Sequence, residues 1–321
     1  MLTDKIGIDI SKATYDVSLL VRGKPHARIF PNTAVGWEDL DHWLHKLGLA
    51  PAHVCLEATG RFWVGIALHL HRAGHRVSVI NPAQIKHFMR SKLARSKTDR
   101  VDCGHIRAFA EAFDPAAWTP PPPALEALRD LLGTRDQLGA MITALSNRLG
   151  CGDRNKTAAA SERRALAMLR RELDRIETAI AAVIRQDPRL CADRDLLVSI
   201  PGVGPQLAAV ILAEMPGPEV LRRGAEAAAY AGLNPAQRRS GTSLGASPIS
   251  KVGNAVLRAA LYLPALSAMR FNPVVKGFAD RLRERTQLTN KQLVVAAMRK
   301  LLVLCLGVLK TRRRFDPAHA R

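Results

Sequence analysis

The chain has 321 residues, 47% of them hydrophobic, and a formal net charge of +20 at pH 7. This length and apolar content predict a globular protein of two or three domains and exclude a disordered chain. The surplus of positive charge favours a polyanionic partner, above all nucleic acid, over a basic surface that has no partner.

Positive charge is concentrated in two segments. Residues 219–321 contain 19 Lys and Arg against 5 Asp and Glu, and residues 86–100 contain six Lys and Arg against one Asp. An uneven distribution of this kind is typical of a surface that contacts a polyanion.

The cysteines and the longest apolar run exclude two further classes of protein. The five cysteines form no CxxC pair, which argues against a disulfide framework or a zinc site and for a reducing cytosol. The run "KLLVLCLGVLK" is too short to span a bilayer. It predicts a core helix, and we expect no membrane partner.

The first third of the chain has the pattern of an α/β domain. Three short runs, "DKIGIDI", "TYDVSLLV" and "HARIF", predict an antiparallel meander. Amphipathic helices then alternate with the strands "AHVCLEA" and "HRVSVI" in the order βββαβαβα. A last helix is expected from near Asp99 to about Ala112, so that the α/β domain covers residues 1–114.

A proline-rich segment and a helical hairpin follow. Five prolines within nine positions predict a stiff linker over residues 115–123. Two leucine-rich patterns with steps of three and four, separated by the polar turn "GCGDRNKT", predict paired helices over residues 124–188. An oligomerising coiled-coil hairpin and a two-helix piece of a globular core fit this pattern equally well.

The remaining residues, 189–321, predict an all-α domain that begins with a helix-hairpin-helix. In "LLVSIPGVGPQLAAVILAEM" a Pro-Gly-Val-Gly turn joins two apolar helices. Backbone N–H groups near Gly202 and Gly204 would lie at a helix N-terminus, where they suit a phosphate oxygen without reading base sequence. A purely structural helical hairpin is the alternative.

Four carboxylates are placed to converge in the α/β domain. Asp9 and Glu57 end the first and fourth strands, and Asp99 and Asp102 share a helix face because residues i and i+3 are neighbours. In a βββαβαβα sheet the first and fourth strands lie side by side and parallel. We therefore expect all four side chains to meet where the last helix crosses this edge.

Clustered carboxylates repel one another unless a cation lies among them. Oxygen ligands alone favour Mg²⁺ or Mn²⁺ over zinc, and two such ions can act on a phosphate group. Lys92, Arg95 and Lys97 precede the acidic pair and would hold a polyanion beside the metals. For Asp99 and Asp102 alone, a favourable interaction with the helix dipole is the alternative.

Several motifs resemble the DEDD transposases of bacterial insertion sequences, the IS one-hundred-and-ten family. They are "IGIDISK", "LEATG", "NPAQIKHF" and "SKTDRVDC", followed by "IPGVGPQLAAVILAE" and "AAYAGLNPAQRRSGTSLGASPISKVGNAVLRAAL". The resemblance covers nearly the whole chain and departs at Cys103, where Ala is expected. It implies an RNase H-like N-terminal domain of the Holliday-junction resolvase type, with Asp9, Glu57, Asp99 and Asp102 as its metal-binding catalytic residues.

The resemblance also implies a serine nucleophile in the C-terminal domain. Among Ser240, Ser243, Ser247 and Ser250 we favour Ser240, because Arg238 and Arg239 precede it and Gly241 follows it. The carboxylate site would supply the metal that activates this serine if the two domains meet, in one chain or across subunits. On the residues alone, a Ser/Gly/Thr stretch of this kind is usually a loop.

Further expectations concern partners and location. Lys251 is interpreted as a phosphate contact, for which a solvated surface charge is the alternative. The resemblance implies cleavage and rejoining of DNA, an element-encoded structured guide RNA, a dimer or tetramer, and a bacterial cytoplasmic protein associated with the nucleoid.

Two other functions remain open at this level. A metal-dependent nuclease or junction resolvase would hydrolyse DNA with water and would not need Ser240. An architectural DNA-binding protein would gain nothing from four carboxylates beside phosphate. A requirement for Mg²⁺ in strand cleavage separates the enzymes from the binding protein.

Overall fold

The structure is a computed structural model that divides into two compact units, residues 1–120 and 121–321. It describes residues 4–58, 60–92, 99–152, 155–235, 239–240, 243–244 and 249–319. For residues 99–101, 239–240 and 243–244 it describes the backbone alone.

Unit 1 contains a five-stranded sheet with the strand order β3-β2-β1-β4-β5. β1 pairs antiparallel with β2, β2 antiparallel with β3, and β4 parallel with both β1 and β5. The predicted meander and the predicted pairing of the first and fourth strands are therefore confirmed. The strands are β1 Lys5–Ile10, β2 Thr14–Val21, β3 Lys24–Pro31, β4 His53–Glu57 and β5 Arg76–Ile80.

Four helices flank this sheet. Those on one face bury an apolar core with the strands, in which Ile8, Leu40, Leu56 and Ile66 are fully buried. The last helix crosses the other face at Gly7, where an added Cβ would lie 2.2 Å from the carbonyl oxygen of Cys103. The helices are α1 Ala34–Lys46, α2 Val64–Arg72, α3 Pro82–Ser91 and α4 Asp99–Phe113.

The first half of the proline-rich segment is bound to the edge of the sheet. The Trp118 N–H donates to the carbonyl of Val77 on β5 at 2.7 Å, and the Ser78 hydroxyl donates to the carbonyl of Ala116 at 2.8 Å. The Trp118 ring packs edge-on against Trp63. Residues 115–118 thus belong to the packed body of unit 1.

Unit 2 is helical apart from one short two-stranded pairing in its described residues. Its first two helices pack along each other, as the sequence predicts for residues 124–188, and Pro188 begins the next helix. The elements are α5 Pro123–Leu149, α6 Lys156–Gln186, α7 Pro188–Val198, α8 Pro205–Glu214, α9 Gly224–Tyr230, β6 Arg239–Ser240, β7 Ser243–Leu244, α10 Ala255–Ala260, α11 Tyr262–Phe271, α12 Pro273–Arg285 and α13 Asn290–Thr311.

The long apolar helix α13 lies in the core of unit 2. It is long and apolar enough to cross a membrane by length and composition, yet most of it is buried inside the protein. Leu301, Leu302 and Cys305 are fully buried, and α13 packs against α9, α11 and α12. The prediction of a core helix at "KLLVLCLGVLK" is confirmed.

Candidate functional site

The sheet places Asp9 and Glu57 on one face of adjacent strands. Gly7 pairs with Cys55 in the parallel register of β1 and β4. Side chains two residues apart on a strand point to the same face, so Asp9 and Glu57 share the face of that pair. They occupy equivalent positions at the carboxyl ends of the two strands.

A third carboxylate lies beside Asp9. Asp16 of β2 is directly opposite Asp9 in the antiparallel register, and such pairs project from the same face. Asp16 lies inside β2, so an inference from strand ends alone does not find it. The signal was available, since a short turn after "IGIDI" brings the aspartate of "TYDV" opposite the aspartate of the first strand.

Helix α4 covers this acidic face. Burial, and next the Asp16 carboxylate, raise the pKa of the Cys103 thiol to about 11, and Asp9 adds to the effect. Cys103 of α4 thus lies close to the carboxylates of both strands. Its neighbour Asp102 is mostly buried, and its Oδ1 atom has no hydrogen-bond partner among the described residues.

The backbone at Asp99 begins α4, one turn before Asp102, and its side chain lies outside the described residues. Among the side chains that are described, no group of three or more His, Cys, Asp and Glu is close enough to hold a metal ion. Asp9, Glu57 and Asp102 therefore form no such group by themselves, and the Asp99 side chain is not among those described. The set nevertheless fits Mg²⁺ or Mn²⁺ in its chemistry, because its donor groups are carboxylates, whose oxygens are the ligands that these hard cations prefer.

The structure describes only some of the basic side chains that the sequence predicts to hold a polyanion. The Lys92 ammonium, at the end of α3, lies 4.8 Å from the centroid of the Phe88 ring and is exposed. Arg95 and Lys97 lie outside the described residues, as does Arg238 of unit 2. Arg239 and Ser240 are described as backbone, in the short strand β6.

Backbone hydrogen bonds join the two ends of the segment that carries Ser240, and we call this set of bonds the backbone clamp. The N–H groups of Ser250, Lys251 and Asn254 donate to the carbonyls of Asn234, Gly232 and Tyr230, respectively. An added Cβ at Gly253 would lie 2.3 Å from the Tyr230 oxygen. Within the clamp, Ser240 pairs with Ser243 across β6 and β7. The two ends of this segment are therefore held together.

Lys251 lies in this clamp with an exposed side chain. Its φ angle of 56° places a non-glycine residue in the left-handed region. The surrounding backbone hydrogen bonds, to the carbonyl of Gly232 among others, stabilise this conformation. The direction in which the Lys251 side chain leaves the backbone is thus determined by the fold at the base of the segment that carries Ser240.

The Pro-Gly-Val-Gly turn joins α7 and α8, and its two glycines have different roles. Gly202 has a φ of 99°, and an added Cβ would lie 2.7 Å from the Ala268 Cβ of α11. Gly204 precedes α8, and in the described part of the chain no atom lies within 4 Å of an added Cβ and no side chain caps the helix there. Close packing explains Gly202, whereas the helix N-terminus at Gly204 is open to a ligand.

A second polar cluster in unit 1 has the residue types of a hydrolase triad. His53 lies between the Ser78 hydroxyl, 2.8 Å from its Nε2, and Asp114, 3.4 Å from its Nδ1. However, the Lys5 ammonium donates to Nδ1 at 2.7 Å. Nε2 must then carry the proton, so it cannot accept one from Ser78. Ser78 is also fully buried, and the cluster ties the sheet to the end of α4.

Comparison with known proteins gives matches along most of the chain. A sequence model named DEDD_Tnp_IS110 and described as "Transposase" matches residues 6–151. A second, described as "Transposase IS116/IS110/IS902 family", matches residues 194–280. The first covers the acidic face of unit 1, and the second covers the glycine turn and the serine segment.

Similar proteins extend over the same regions. A "Pilin gene-inverting protein" of Moraxella bovis is 29% identical over 97% of both chains. A "Probable family 20 transposase" of Pseudomonas aeruginosa is 25% identical over 84% of this chain and 85% of its own. An insertion element IS110 protein of Streptomyces coelicolor is 32% identical over 40% of this chain and 31% of its own. The chain therefore belongs to the IS116/IS110/IS902 family of transposases, enzymes that recombine DNA.

Proposed function

We propose that this transposase cuts and rejoins DNA through a covalent phosphoserine at Ser240, with Mg²⁺ or Mn²⁺ held by Asp9, Glu57, Asp99 and Asp102. The observation that carries the proposal is the placement of Asp9 and Glu57 on one face of adjacent strands, beneath the helix that contains Asp102. The oxygen-only set of ligands supports a hard cation.

The residues of the two units have different tasks in this reaction. If the two units meet, in one chain or across subunits, bound metal would supply charge stabilisation at phosphate and a more acidic serine hydroxyl. Ser240 Oγ would form a bond to phosphorus while the bond to one sugar oxygen breaks, and the leaving oxygen would take up a proton. A second DNA hydroxyl then attacks the phosphoserine and restores the serine. Arg238 and Arg239 would hold the phosphate through bidentate hydrogen bonds.

Rejoining favours this mechanism over hydrolysis. The Moraxella bovis relative is named for inverting a gene, and an inversion requires that every cut strand be joined again. A serine ester keeps the broken end and the bond energy needed for religation. A resolvase that used water would lose both, so the hydrolytic alternative fits this relative less well.

The remaining assignments are parts of the same proposal. Unit 1 would be RNase H-like, as its strand order and parallel β1–β4 pairing support. The turn at Gly202 and Gly204 would act as a helix-hairpin-helix that binds phosphate, and Lys92, Arg95, Lys97 and Lys251 would add contacts to DNA or to a structured guide RNA. The protein would act in the cytoplasm at the nucleoid as a dimer or tetramer.

The test is a denaturing gel on which a covalent protein–DNA adduct is resolved. The full chain is incubated with end DNA of its element and the flanking noncoding RNA, with Mg²⁺ and with chelator. We expect the adduct and strand cleavage in the reaction that contains Mg²⁺ and neither in the reaction that contains chelator. Asp102→Asn should abolish both with little loss of DNA binding, while Asp39→Asn, on the exposed face of α1, should leave both unchanged.

Three outcomes would contradict the proposal. Cleavage in chelator would remove the metal from the reaction. Normal cleavage by Asp102→Asn would remove this residue from the site. Cleavage by the wild type without any adduct would favour the hydrolytic resolvase.

A further inference from the structure

Two buried polar atoms on α4 have no hydrogen-bond partner among the described residues. They are Oδ1 of Asp102 and Nδ1 of His105, and they lie 3.9 Å apart. Both atoms are shielded from water, although each side chain as a whole is slightly exposed. Buried polar atoms in proteins are nearly always paired, so each needs a partner.

Each of these atoms can satisfy the other. A carboxylate oxygen accepts, and a neutral imidazole with its proton on Nδ1 donates. The present separation exceeds the usual N–H···O distance of about 2.9 Å by roughly 1 Å, which a small side-chain rotation removes. The helix itself is firmly placed, because Cys103 and Ile106 on the same turns are fully buried. The adjustment therefore requires no movement of the backbone.

We propose that His105 is a positioning residue for the metal site. It donates its Nδ1–H to Oδ1 of Asp102 and so leaves the other carboxylate oxygen to bind the divalent ion. The inference rests on the proposed function, since it gives Asp102 a metal to hold. Carboxylates that bind metals are commonly oriented by a second hydrogen bond of this kind.

Donation to Asp102 suits His105 better than direct binding to the ion. Mg²⁺ and Mn²⁺ prefer oxygen ligands, and the face of the sheet under α4 already provides the carboxylates of Asp9 and Glu57. An imidazole one helical turn from a carboxylate is close enough to orient it, as neighbours at i and i+3 are. The role needs the N–H group and no charge on the ring.

The test measures Mn²⁺ binding to the full chain by titration calorimetry. His105→Leu keeps the volume and removes the donor, and we expect Mn²⁺ to bind about 10- to 100-fold more weakly. His105→Asn places an amide N–H near the position of Nδ1 and should restore most of the affinity. His87→Ala, an exposed histidine of α3, should bind as the wild type does.

A second measurement uses DNA cleavage. The Mg²⁺ concentration for half-maximal cleavage should rise in His105→Leu by the same factor, while the rate at saturating Mg²⁺ stays near that of the wild type. Melting temperatures without metal establish that the variants fold. Should His105→Leu fail to fold, His105→Asn against the wild type still tests whether an N–H donor suffices.

The outcomes separate this inference from the proposed function. Wild-type Mn²⁺ affinity in His105→Leu would overturn the positioning role, as would weak binding in a folded His105→Asn. Asp102→Asn should lose Mn²⁺ affinity in either case. If Asp102→Asn binds Mn²⁺ as the wild type does, the metal site of the proposed function is wrong.

Discussion

Asp9 and Asp16 occupy directly opposed positions on the antiparallel strands β1 and β2. Like charges placed directly opposite each other destabilise a sheet. The same face carries Glu57 on the neighbouring strand, and α4 with Asp102 lies over it. A cation bound there would reduce the repulsion, which links the stability of the sheet to the metal.

Replacement of Asp16 should therefore have opposite effects with and without metal. Asp16→Asn removes one of two opposed charges, so the metal-free protein should gain about 0.2–1 kcal/mol in the free energy of unfolding. The rise in melting temperature caused by Mn²⁺ should become smaller. Differential scanning calorimetry with and without Mn²⁺ measures both, and Asp39→Asn serves as the control. A metal-free variant less stable than the wild type would contradict the prediction.

The fold of unit 1 could be predicted because its strands and helices have clear hydrophobic periods. The runs "TYDVSLLV" and "HRVSVI" correspond to β2 and β5 within one residue, and Asn81 with Pro82 marks the start of α3. Asp9 and Glu57 could be identified as strand ends for the same reason. Their position on one face follows from the strand alternation once β1 and β4 are paired.

Other features depend on contacts that are distant in sequence. The buried position of His53 required Lys5 and Asp114, which lie at opposite ends of the domain in sequence. The different roles of Gly202 and Gly204 required the position of α11. No local pattern contains this information. The assignment of Ser240 stays a prediction, because its side chain lies outside the described residues.

The buried His53 predicts a loss of stability in mild acid. Burial, then the charges of Lys5 and Arg76, lower the pKa of His53 to about 4 from its ordinary value near 6.5. The unfolded chain takes up a proton below pH 6.5, whereas the folded chain resists protonation until about pH 4. Stability should thus fall across this window, by up to about 3 kcal/mol from this residue.

Urea unfolding at pH 7 and at pH 4.5 checks this prediction. His53→Gln removes the titrating group, so its loss of stability between the two pH values should be smaller than that of the wild type. Carboxylates also titrate below pH 5, and the comparison cancels their shared contribution. His26→Gln, at an exposed position of β3, should retain the full loss. Equal pH dependence in all three proteins would contradict the assignment.

The glycine turn between α7 and α8 offers a matched pair of substitutions. Gly202→Ala meets Ala268 and adopts a positive φ, so it should destabilise unit 2 by about 2 kcal/mol or more. Gly204→Ala has space and a φ of −86°, so the fold should survive. Thermal unfolding measures the destabilisation expected for Gly202→Ala.

The same pair tests phosphate binding at the turn. If the backbone of residues 204–207 contacts a phosphate, Gly204→Ala should weaken DNA binding through its methyl group while leaving the melting temperature unchanged. Fluorescence anisotropy with a duplex of fixed length measures the affinity at one salt concentration. If Gly204→Ala binds the DNA duplex as tightly as the wild type does, the turn has only a structural role.

The hairpin of α5 and α6 should take part in self-association. Its seam residues Leu138, Leu145 and Leu173 are only half-buried by the partner helix, and Met141 and Met168 are exposed. Two helices rarely cover their apolar seam completely, and a second hairpin would do so. Sedimentation velocity at micromolar concentration should show a dimer or tetramer, which Met168→Glu weakens and Thr143→Glu leaves intact. A monomer with and without nucleic acid would make this prediction wrong.

Ser240 decides between recombination and hydrolysis. A positioned oxygen nucleophile that remains bonded to the cut strand is needed for rejoining, and the basic segment around Ser240 is the proposed source of that oxygen. Ser240→Ala should therefore abolish both the covalent adduct and recombination. The fold and the nucleic-acid affinity should survive, since loss of a single hydroxyl away from the core commonly changes stability by less than about 0.5 kcal/mol. Ser250→Ala, at the base of the segment, is the matched control and should still form the adduct.

An adduct in Ser240→Ala would mean that the nucleophile is another residue, and Ser243 and Ser250 would be tested next. Cleavage without any adduct in the wild type would favour the hydrolytic resolvase mechanism instead.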